Sequence, residues 1–214
     1  MKVGVFDSGV GGENVVAAIK IAIPKAEVIF RDDRAHLPYG NKTASQILEL
    51  MTPIMQTFTD QDQVDAIVIA CNTASTNILD QLKELVSVPV IGFVPMIKPA
   101  SLMTKTNTIT VCATPGTLKS NRYAALKAAY ARDLVVIEPD CSDWAEMIEA
   151  NKLNMARIGD VVNQSMRAGS DVIVLGCTHY HWIEDQLKQL AGPNITIIQP
   201  TTSVIAELKR VLDC

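Results

Sequence analysis

Two cysteines occupy matching contexts and could transfer protons at a carbon atom. Cys71 ends one apolar run and precedes Asn-Thr, whereas Cys177 ends a second apolar run and precedes Thr-His. Thiols on opposite faces of a bound carbon can act as general base and general acid. One thiolate would remove the Cα proton of an amino acid, and the other thiol would return a proton from the far side. The pair therefore predicts stereoinversion, with each sulfur about 3–3.5 Å from the reacting carbon.

Two other chemistries remain open for these cysteines. The run containing Cys177, His179 and His181 has metal-binding residue types, but no second group of ligands accompanies it. A Cys–His hydrolase would use Cys177 and His179 and would leave Cys71 without a role. Because two equivalent positions carry a thiol, we favour the two-thiol chemistry and expect no metal site.

Polar neighbours of the two cysteines are candidates for assisting and binding roles. Asn72, Thr73 and Thr178 suit helix caps and hydrogen bonds to a ligand. A thiol just before a helix N-terminus is expected to have its thiolate stabilised by free N–H groups and the helix dipole. His179 is either the acid–base partner of the preceding thiol or a structural histidine.

The segment Asp7–Gly12 predicts a turn between a strand and a helix, with backbone N–H groups that can bind a carboxylate. It does not end in Gly-Lys-Ser/Thr, and Asn14 replaces the last glycine of a dinucleotide fingerprint. We find no fingerprint for a redox cofactor or a pyridoxal lysine, and we expect no cofactor. Asp7, at a strand end, is expected either to hold or deprotonate Cys71 or to cap the turn.

Short apolar runs alternate with amphipathic stretches, which predicts an α/β fold with mainly parallel sheets. The predicted strands are Val3–Phe6, Val28–Phe30, Ala66–Ala70, Val88–Phe93, Thr108–Cys112, Leu134–Ile137, Val172–Leu175 and Ile195–Ile198. The predicted helices are Asn14–Ile23, Ser45–Thr59, Thr76–Leu85, Leu118–Ala131 and Met155–Arg167.

The sequence repeats itself at a shift of 106 residues, the separation of the two cysteines. At this shift Asp65–Thr73 falls on Asp171–His179, and Val3–Ser8 falls on Ile109–Thr114. The repeat predicts two pseudo-symmetric α/β lobes. Ligands bind beyond the carboxyl ends of parallel strands, so we expect the active site in the cleft between the lobes.

The repeat also suggests where the two lobes divide. We expect residues 1–95 and 199–214 to form the first lobe and residues 96–198 to form the second. Thr114 is the repeat counterpart of Ser8, and both are expected to reach the cleft.

Composition excludes several classes of protein. The chain has 214 residues, of which 48% are hydrophobic, and its net charge of −4 argues against nucleic acid or a basic membrane surface as a partner. No apolar run approaches the roughly 20 residues that span a bilayer. The first strand reaches an acid too early for a signal peptide, and five cysteines do not make a disulfide framework. We expect a cytoplasmic protein.

Several segments together resemble the cofactor-independent glutamate racemases. The matching segments are Val5–Gly12, Pro38–Gly40, Ala70–Ala74 and Gly176–Tyr180, with weaker matches at Pro89–Gly92 and Thr114–Thr117. They occur in the family's order and cover nearly all of the chain. The resemblance implies a two-lobed fold and interconversion of L- and D-glutamate for peptidoglycan synthesis. It implies glutamate as the partner and is compatible with a homodimer.

The resemblance also implies roles for individual residues. Cys71 and Cys177 are the implied catalytic thiols, with Asp7 assisting the first and His179 the second. Glu149 lies at the spacing of the family's assisting glutamate; the other interpretation is an exposed helix acid. The implied substrate-contacting residues are Asp7, Ser8, Tyr39, Gly40, Asn72, Thr73, Thr114, Thr178 and His179.

Departures from the family pattern keep two alternatives open. Residues 31–34 read Arg-Asp-Asp-Arg where the family has Gly-Asp-Thr, so a racemase of another amino acid, such as aspartate, is one alternative. His181 stands where proline is common, and Asn151 stands where glycine is frequent. The C-terminal segment of typical members has no counterpart in this sequence. A shortened paralogue that binds a small acid without catalysis is therefore the other alternative.

Overall fold

The computed structural model describes residues 1–214 and contains eight strands in two parallel sheets. The strands are β1 (Lys2–Asp7), β2 (Glu27–Asp32), β3 (Ala66–Ile69), β4 (Val90–Gly92), β5 (Thr108–Ala113), β6 (Val135–Ile137), β7 (Val172–Gly176) and β8 (Thr196–Ile198). The strand orders are β2-β1-β3-β4 and β6-β5-β7-β8, and all pairings are parallel. The predicted α/β fold with parallel sheets is confirmed.

Ten α-helices surround the two sheets. They are α1 (Gly11–Ala22), α2 (Ala44–Gln56), α3 (Asn72–Glu84), α4 (Ile97–Met103), α5 (Pro115–Leu118), α6 (Asn121–Tyr130), α7 (Trp144–Glu149), α8 (Met155–Arg167), α9 (Glu184–Ala191) and α10 (Thr201–Val211). None of them combines the length and the apolar character that crossing a lipid bilayer requires.

One helix that was predicted to be continuous is divided into two in the structure. The stretch Leu118–Ala131 is divided between α5 and α6, and the break falls at Ser120. The hydroxyl of Ser120 accepts a hydrogen bond from the N–H of Tyr123 and so caps α6. A serine that caps a new helix interrupts the hydrogen bonding of the preceding one, which apolar periodicity alone does not reveal.

The sequence repeat is a structural repeat. β1 and β5 begin 106 residues apart, and β4 and β8 are related by the same shift. The matched strands occupy the same places in the two strand orders. The carboxyl ends of β3 and β7 are therefore equivalent positions in the two sheets.

Helices cover both faces of each sheet, which explains why the central strands are continuously apolar. In the first sheet, Val68 belongs to a cluster with residues of α1 and α10, whereas its neighbour Ile69 packs with α2 and α3. Residues Val204 and Leu208 thus bring the C-terminal helix back to the first sheet. The lobe boundaries near residues 95 and 198 stay a prediction.

Glycines allow the two halves of the chain to approach closely. A Cβ atom at Gly11 would lie 2.7 Å from the backbone nitrogen of His179, and one at Gly116 would lie 2.7 Å from the carbonyl oxygen of Gly40. In both cases the obstructing atom is backbone, which cannot rotate away. These glycines therefore fix how near the halves can come.

We predict that Gly11→Ala lowers the free energy of unfolding by about 1–3 kcal/mol, because the added methyl group overpacks the contact with His179. The matched control is Gly159→Ala within α8, where a Cβ atom would meet only a Leu190 methyl at 4.0 Å. This control is expected to raise the free energy of unfolding by about 0.5–1 kcal/mol, through helix propensity. Denaturant unfolding measures both. Equal effects of the two substitutions would contradict the prediction.

Candidate active site

The two cysteines predicted to act together line one cavity. Cys71 follows β3 and precedes α3, and Cys177 follows β7 and precedes a 3₁₀ turn, Thr178–Ile183. Both side chains are buried and border a cavity of about 40 Å³. The two strand ends thus bring one thiol from each sheet to the same space.

Burial keeps the first thiol protonated. The hydroxyl of Ser8 lies 3.5 Å from Sγ of Cys71. Burial and the negative charge of Asp7 raise the pKa of Cys71 to about 12, against hydrogen bonds from Ser8 and the N–H of Ala74. The expectation of a stabilised thiolate at this helix start is therefore wrong for Cys71, because desolvation exceeds the effect of the helix N–H groups.

The second thiol lies beside an ion pair. Sγ of Cys177 is 3.7 Å from Nδ1 of His179, whose Nε2 lies 2.6 Å from a carboxylate oxygen of Glu149. Burial disfavours the imidazolium, but the hydrogen bonds with Cys177 and Glu149 outweigh it and raise the pKa of His179 to about 11. The structure thus brings all three predicted residues into one hydrogen-bonded row.

Glu149 is the ionised end of this row. Burial alone would raise its pKa, yet the hydrogen bonds from His179 and from the N–H of Val10 hold the pKa below its usual value. The Val10 bond is 2.7 Å long and reaches Glu149 from the loop after β1. Of the two interpretations of Glu149, the exposed helix acid does not apply, since its side chain is only 18% exposed.

Asp7 joins the two halves of the site. Its carboxylate accepts hydrogen bonds from the N–H of Gly9 at 2.9 Å and from the hydroxyl of Thr178 at 2.7 Å. Complete burial raises the pKa of Asp7, and the charge of His179 opposes that effect. Asp7 acts on Cys71 through its charge, while the hydroxyl in contact with the thiol belongs to Ser8.

The loop after β1 binds the chain's own carboxylates. The N–H of Gly9 donates to Asp7, and the N–H of Val10 donates to Glu149. Such groups were expected to be available to a ligand carboxylate. These two N–H groups instead bind the side chains of Asp7 and Glu149.

The cavity gathers most of the predicted substrate-contacting residues. Besides the two cysteines, the predicted residues on its wall are Ser8, Tyr39, Gly40, Asn72, Thr73, Thr114, Thr178 and His179. Hydroxyls of Thr73 and Thr114 lie 2.8 Å apart. The side-chain amide of Asn72 is buried, and neither its nitrogen nor its oxygen has a hydrogen-bond partner. Because buried polar atoms are nearly always paired, this amide is available to bind water or a polar ligand in the cavity.

Sequence reasoning missed part of the wall. The cavity is also bordered by Leu37, Pro38, Asn41, Pro115, Ser142 and Ala145. Pro38 belongs to the matching segment Pro38–Gly40. That segment could have indicated that the preceding residue, Leu37, also borders the cavity. Ala145 lies four residues before Glu149 on α7, so helical spacing alone would place the two on one face.

Comparison with known proteins gives concordant results. Residues 13–208 match the family described as Asp/Glu/Hydantoin racemase. A glutamate racemase of Herpetosiphon aurantiacus is 35% identical over 98% of this chain and 84% of its own length.

Two solved structures are also similar to this chain. Escherichia coli glutamate racemase, crystallised with L-glutamate and the activator UDP-MurNAc-Ala, has 29% identity and a TM-score of 0.92, covering 99% of this chain and 82% of that one. Francisella tularensis glutamate racemase in complex with D-glutamate has 30% identity and a TM-score of 0.82, covering 99% and 80%.

We predict that Glu149→Gln lowers the pKa of His179 from about 11 by about 1–3 pH units, because the anionic acceptor is lost. NMR titration of the imidazole carbons measures the change. The matched control is Glu146→Gln on the same helix, which has no hydrogen bond to His179 and leaves the titration unchanged.

The same variant changes how stability depends on pH. The raised pKa of His179 contributes stability that is complete below pH 6.5 and is lost as the pH rises toward 11. The difference in unfolding free energy between the wild type and Glu149→Gln therefore narrows over that range. A His179 titration equal in both proteins would exclude the ion pair.

Proposed function

This chain belongs to the Asp/Glu/hydantoin racemase family, and on that premise we propose that it interconverts L- and D-glutamate. One observation carries the proposal: a single buried cavity has a thiol on its wall from each of the two sheets. Racemisation needs proton transfer on both faces of Cα, and two thiols meet that need without a cofactor. The bound L- and D-glutamate of the two similar crystal structures support the choice of substrate. We propose peptidoglycan synthesis as the use of the D-glutamate.

The surroundings of the two thiols suggest a starting point for turnover. The raised pKa of Cys71 keeps its thiol protonated, and Nδ1 of His179 lies 3.7 Å from Sγ of Cys177. In one direction the Cys177 thiolate takes the Cα proton, and Cys71 then donates its own proton to the opposite face. The reverse direction exchanges these two roles.

Polar groups around the cavity suit an amino-acid substrate. The unpaired amide of Asn72 offers both a donor and an acceptor, and the hydroxyls of Thr73 and Thr114 lie on the same wall. Asp7 does not itself border the cavity, but its buried carboxylate accepts from the cavity-lining Thr178, and its charge suits a substrate ammonium group. These binding roles are part of the proposal.

The residues that suggested another substrate lie away from the cavity wall. Arg31 makes a two-pronged bond with Asp62, and Arg34 bonds to Asp32 and Glu13 at 2.7 Å. None of these residues borders the cavity, and Asp33 reaches its wall only through the hydroxyl of Tyr39. The two arginines therefore give no support for aspartate, and glutamate is the proposed substrate.

We predict that the purified protein in D₂O replaces the Cα proton of L-glutamate with deuterium while D-glutamate accumulates. Proton NMR follows the loss of the Cα signal, and chiral chromatography measures the product. Aspartate, supplied in a parallel reaction, is expected to turn over much more slowly. A product that retains Cα protium would rule out the two-thiol mechanism. A preference for aspartate would overturn the choice of glutamate as the substrate.

A second prediction separates the two thiols. Cys71→Ser and Cys177→Ser are each expected to reduce racemisation by about 10²–10⁴-fold, since each removes one general acid–base group. Each variant keeps one thiol, so each still exchanges the Cα proton of one enantiomer, and the two variants select opposite enantiomers. The matched control is Cys112→Ala, a buried thiol in β5 that does not border the cavity and whose loss leaves turnover intact. Exchange of the same enantiomer by both variants would contradict the opposed arrangement.

A further inference from the structure

We propose that Asp33 is a positioning residue that fixes Tyr39 and the site-lining segment 37–41 against the cavity. The inference rests on the proposed function, because its main readout is the turnover of glutamate. Asp33 does not border the cavity itself. It acts through the hydroxyl of Tyr39, which donates a 2.7 Å hydrogen bond to its carboxylate.

Tyr39 is held from two sides. Its ring is buried and packs against Phe6, with the ring centres 6.0 Å apart. Its hydroxyl bonds to Asp33, and burial together with that bond raises the pKa of the phenol. Packing of the ring against Phe6 does not by itself fix the position of the phenol oxygen. The hydrogen bond to the Asp33 carboxylate supplies that constraint.

Asp33 is well placed to act as a fixed anchor. It immediately precedes a 3₁₀ turn, Arg34–His36, and its side chain is only 12% exposed. One carboxylate oxygen accepts from Tyr39, and the other lies 2.7 Å from Nδ1 of His36. Water can take the place of His36 as a partner of Asp33, because the imidazole is half exposed. Water cannot take the place of the Tyr39 phenol, because the phenol is buried.

The far end of the segment touches the other half of the site. A Cβ atom on Gly40 would lie 3.0 Å from Thr114, and the carbonyl of Gly40 closely approaches Gly116. Thr114 shares the cavity wall with the substrate-binding threonine Thr73. A small displacement of Tyr39 therefore moves a wall that is in contact with the second lobe, and misplacement of a positioning group is costly.

Loss of the anchor is expected to weaken substrate binding more than chemistry, because the thiols and the His179–Glu149 pair keep their own contacts. We expect Asp33→Ala to raise KM for glutamate about 10-fold and to change kcat less than about 3-fold. Asp33→Asn retains an oxygen that can accept from the phenol and is expected to keep KM within about 3-fold of the wild type.

Two further variants isolate the contact. Tyr39→Phe removes the same hydrogen bond, so the double variant with Asp33→Ala is expected to be no worse than the more affected single variant. The matched control is Asp32→Ala, which removes the neighbouring exposed carboxylate and its bond to Arg34 and leaves KM unchanged. A structural role for Asp33 would instead reduce the folded fraction and kcat together, without rescue by asparagine.

Hydrogen exchange of the backbone N–H groups in residues 37–41 supplies a readout independent of turnover. Asp33→Ala is expected to speed this exchange about 10-fold, and Asp32→Ala is expected to leave it unchanged. Absence of glutamate turnover in the wild-type protein would overturn the proposed function alone. Unchanged exchange and unchanged KM in Asp33→Ala would overturn the positioning role, whatever the wild-type activity.

Discussion

The arrangement of the site depends on one buried imidazolium that interacts with two carboxylates. His179 bonds to Glu149 and opposes the effect of burial on the pKa of Asp7. An ionised group buried without a partner costs several kcal/mol, so neither carboxylate is stable there without neighbouring charge or donors. Thr178 and the N–H of Val10 supply those donors, and each of these bonds joins distant parts of the chain. The hydrogen bonds that join the two halves of the chain therefore also stabilise the charged carboxylates of the site.

These charges break the symmetry that the fold provides. The repeat puts the two cysteines at equivalent strand ends, but the residues equivalent to Asp7 and His179 are Ala113 and Thr73. Cys71 consequently has an anion nearby, and Cys177 has a cation. A symmetric backbone with asymmetric neighbours thus places opposite charges beside the two thiols, and burial together with the Asp7 charge holds Cys71 in its protonated form.

The sequence predicted the scaffold well because its signals are local. Strands buried on both faces are continuous apolar runs, and the repeat placed both cysteines at strand ends, where the structure has them. The properties that depend on closure of the two halves were harder to predict. The high pKa of Cys71 arises from burial in the closed cavity, and the partner of the Val10 N–H is 139 residues away. The wall formed by Ala145 comes from a helix whose facing direction follows from tertiary packing.

Enclosure also sets the acidity of Cys71. The thiol is buried, and burial is the largest cause of its raised pKa. The two halves of the chain meet so closely that a Cβ atom at Gly11 or Gly116 would lie 2.7 Å from a backbone atom of the other half. Their close approach leaves little room for water at Cys71, and a desolvated thiol keeps its proton. The packing of the two halves and the protonation state of Cys71 therefore have a common physical cause.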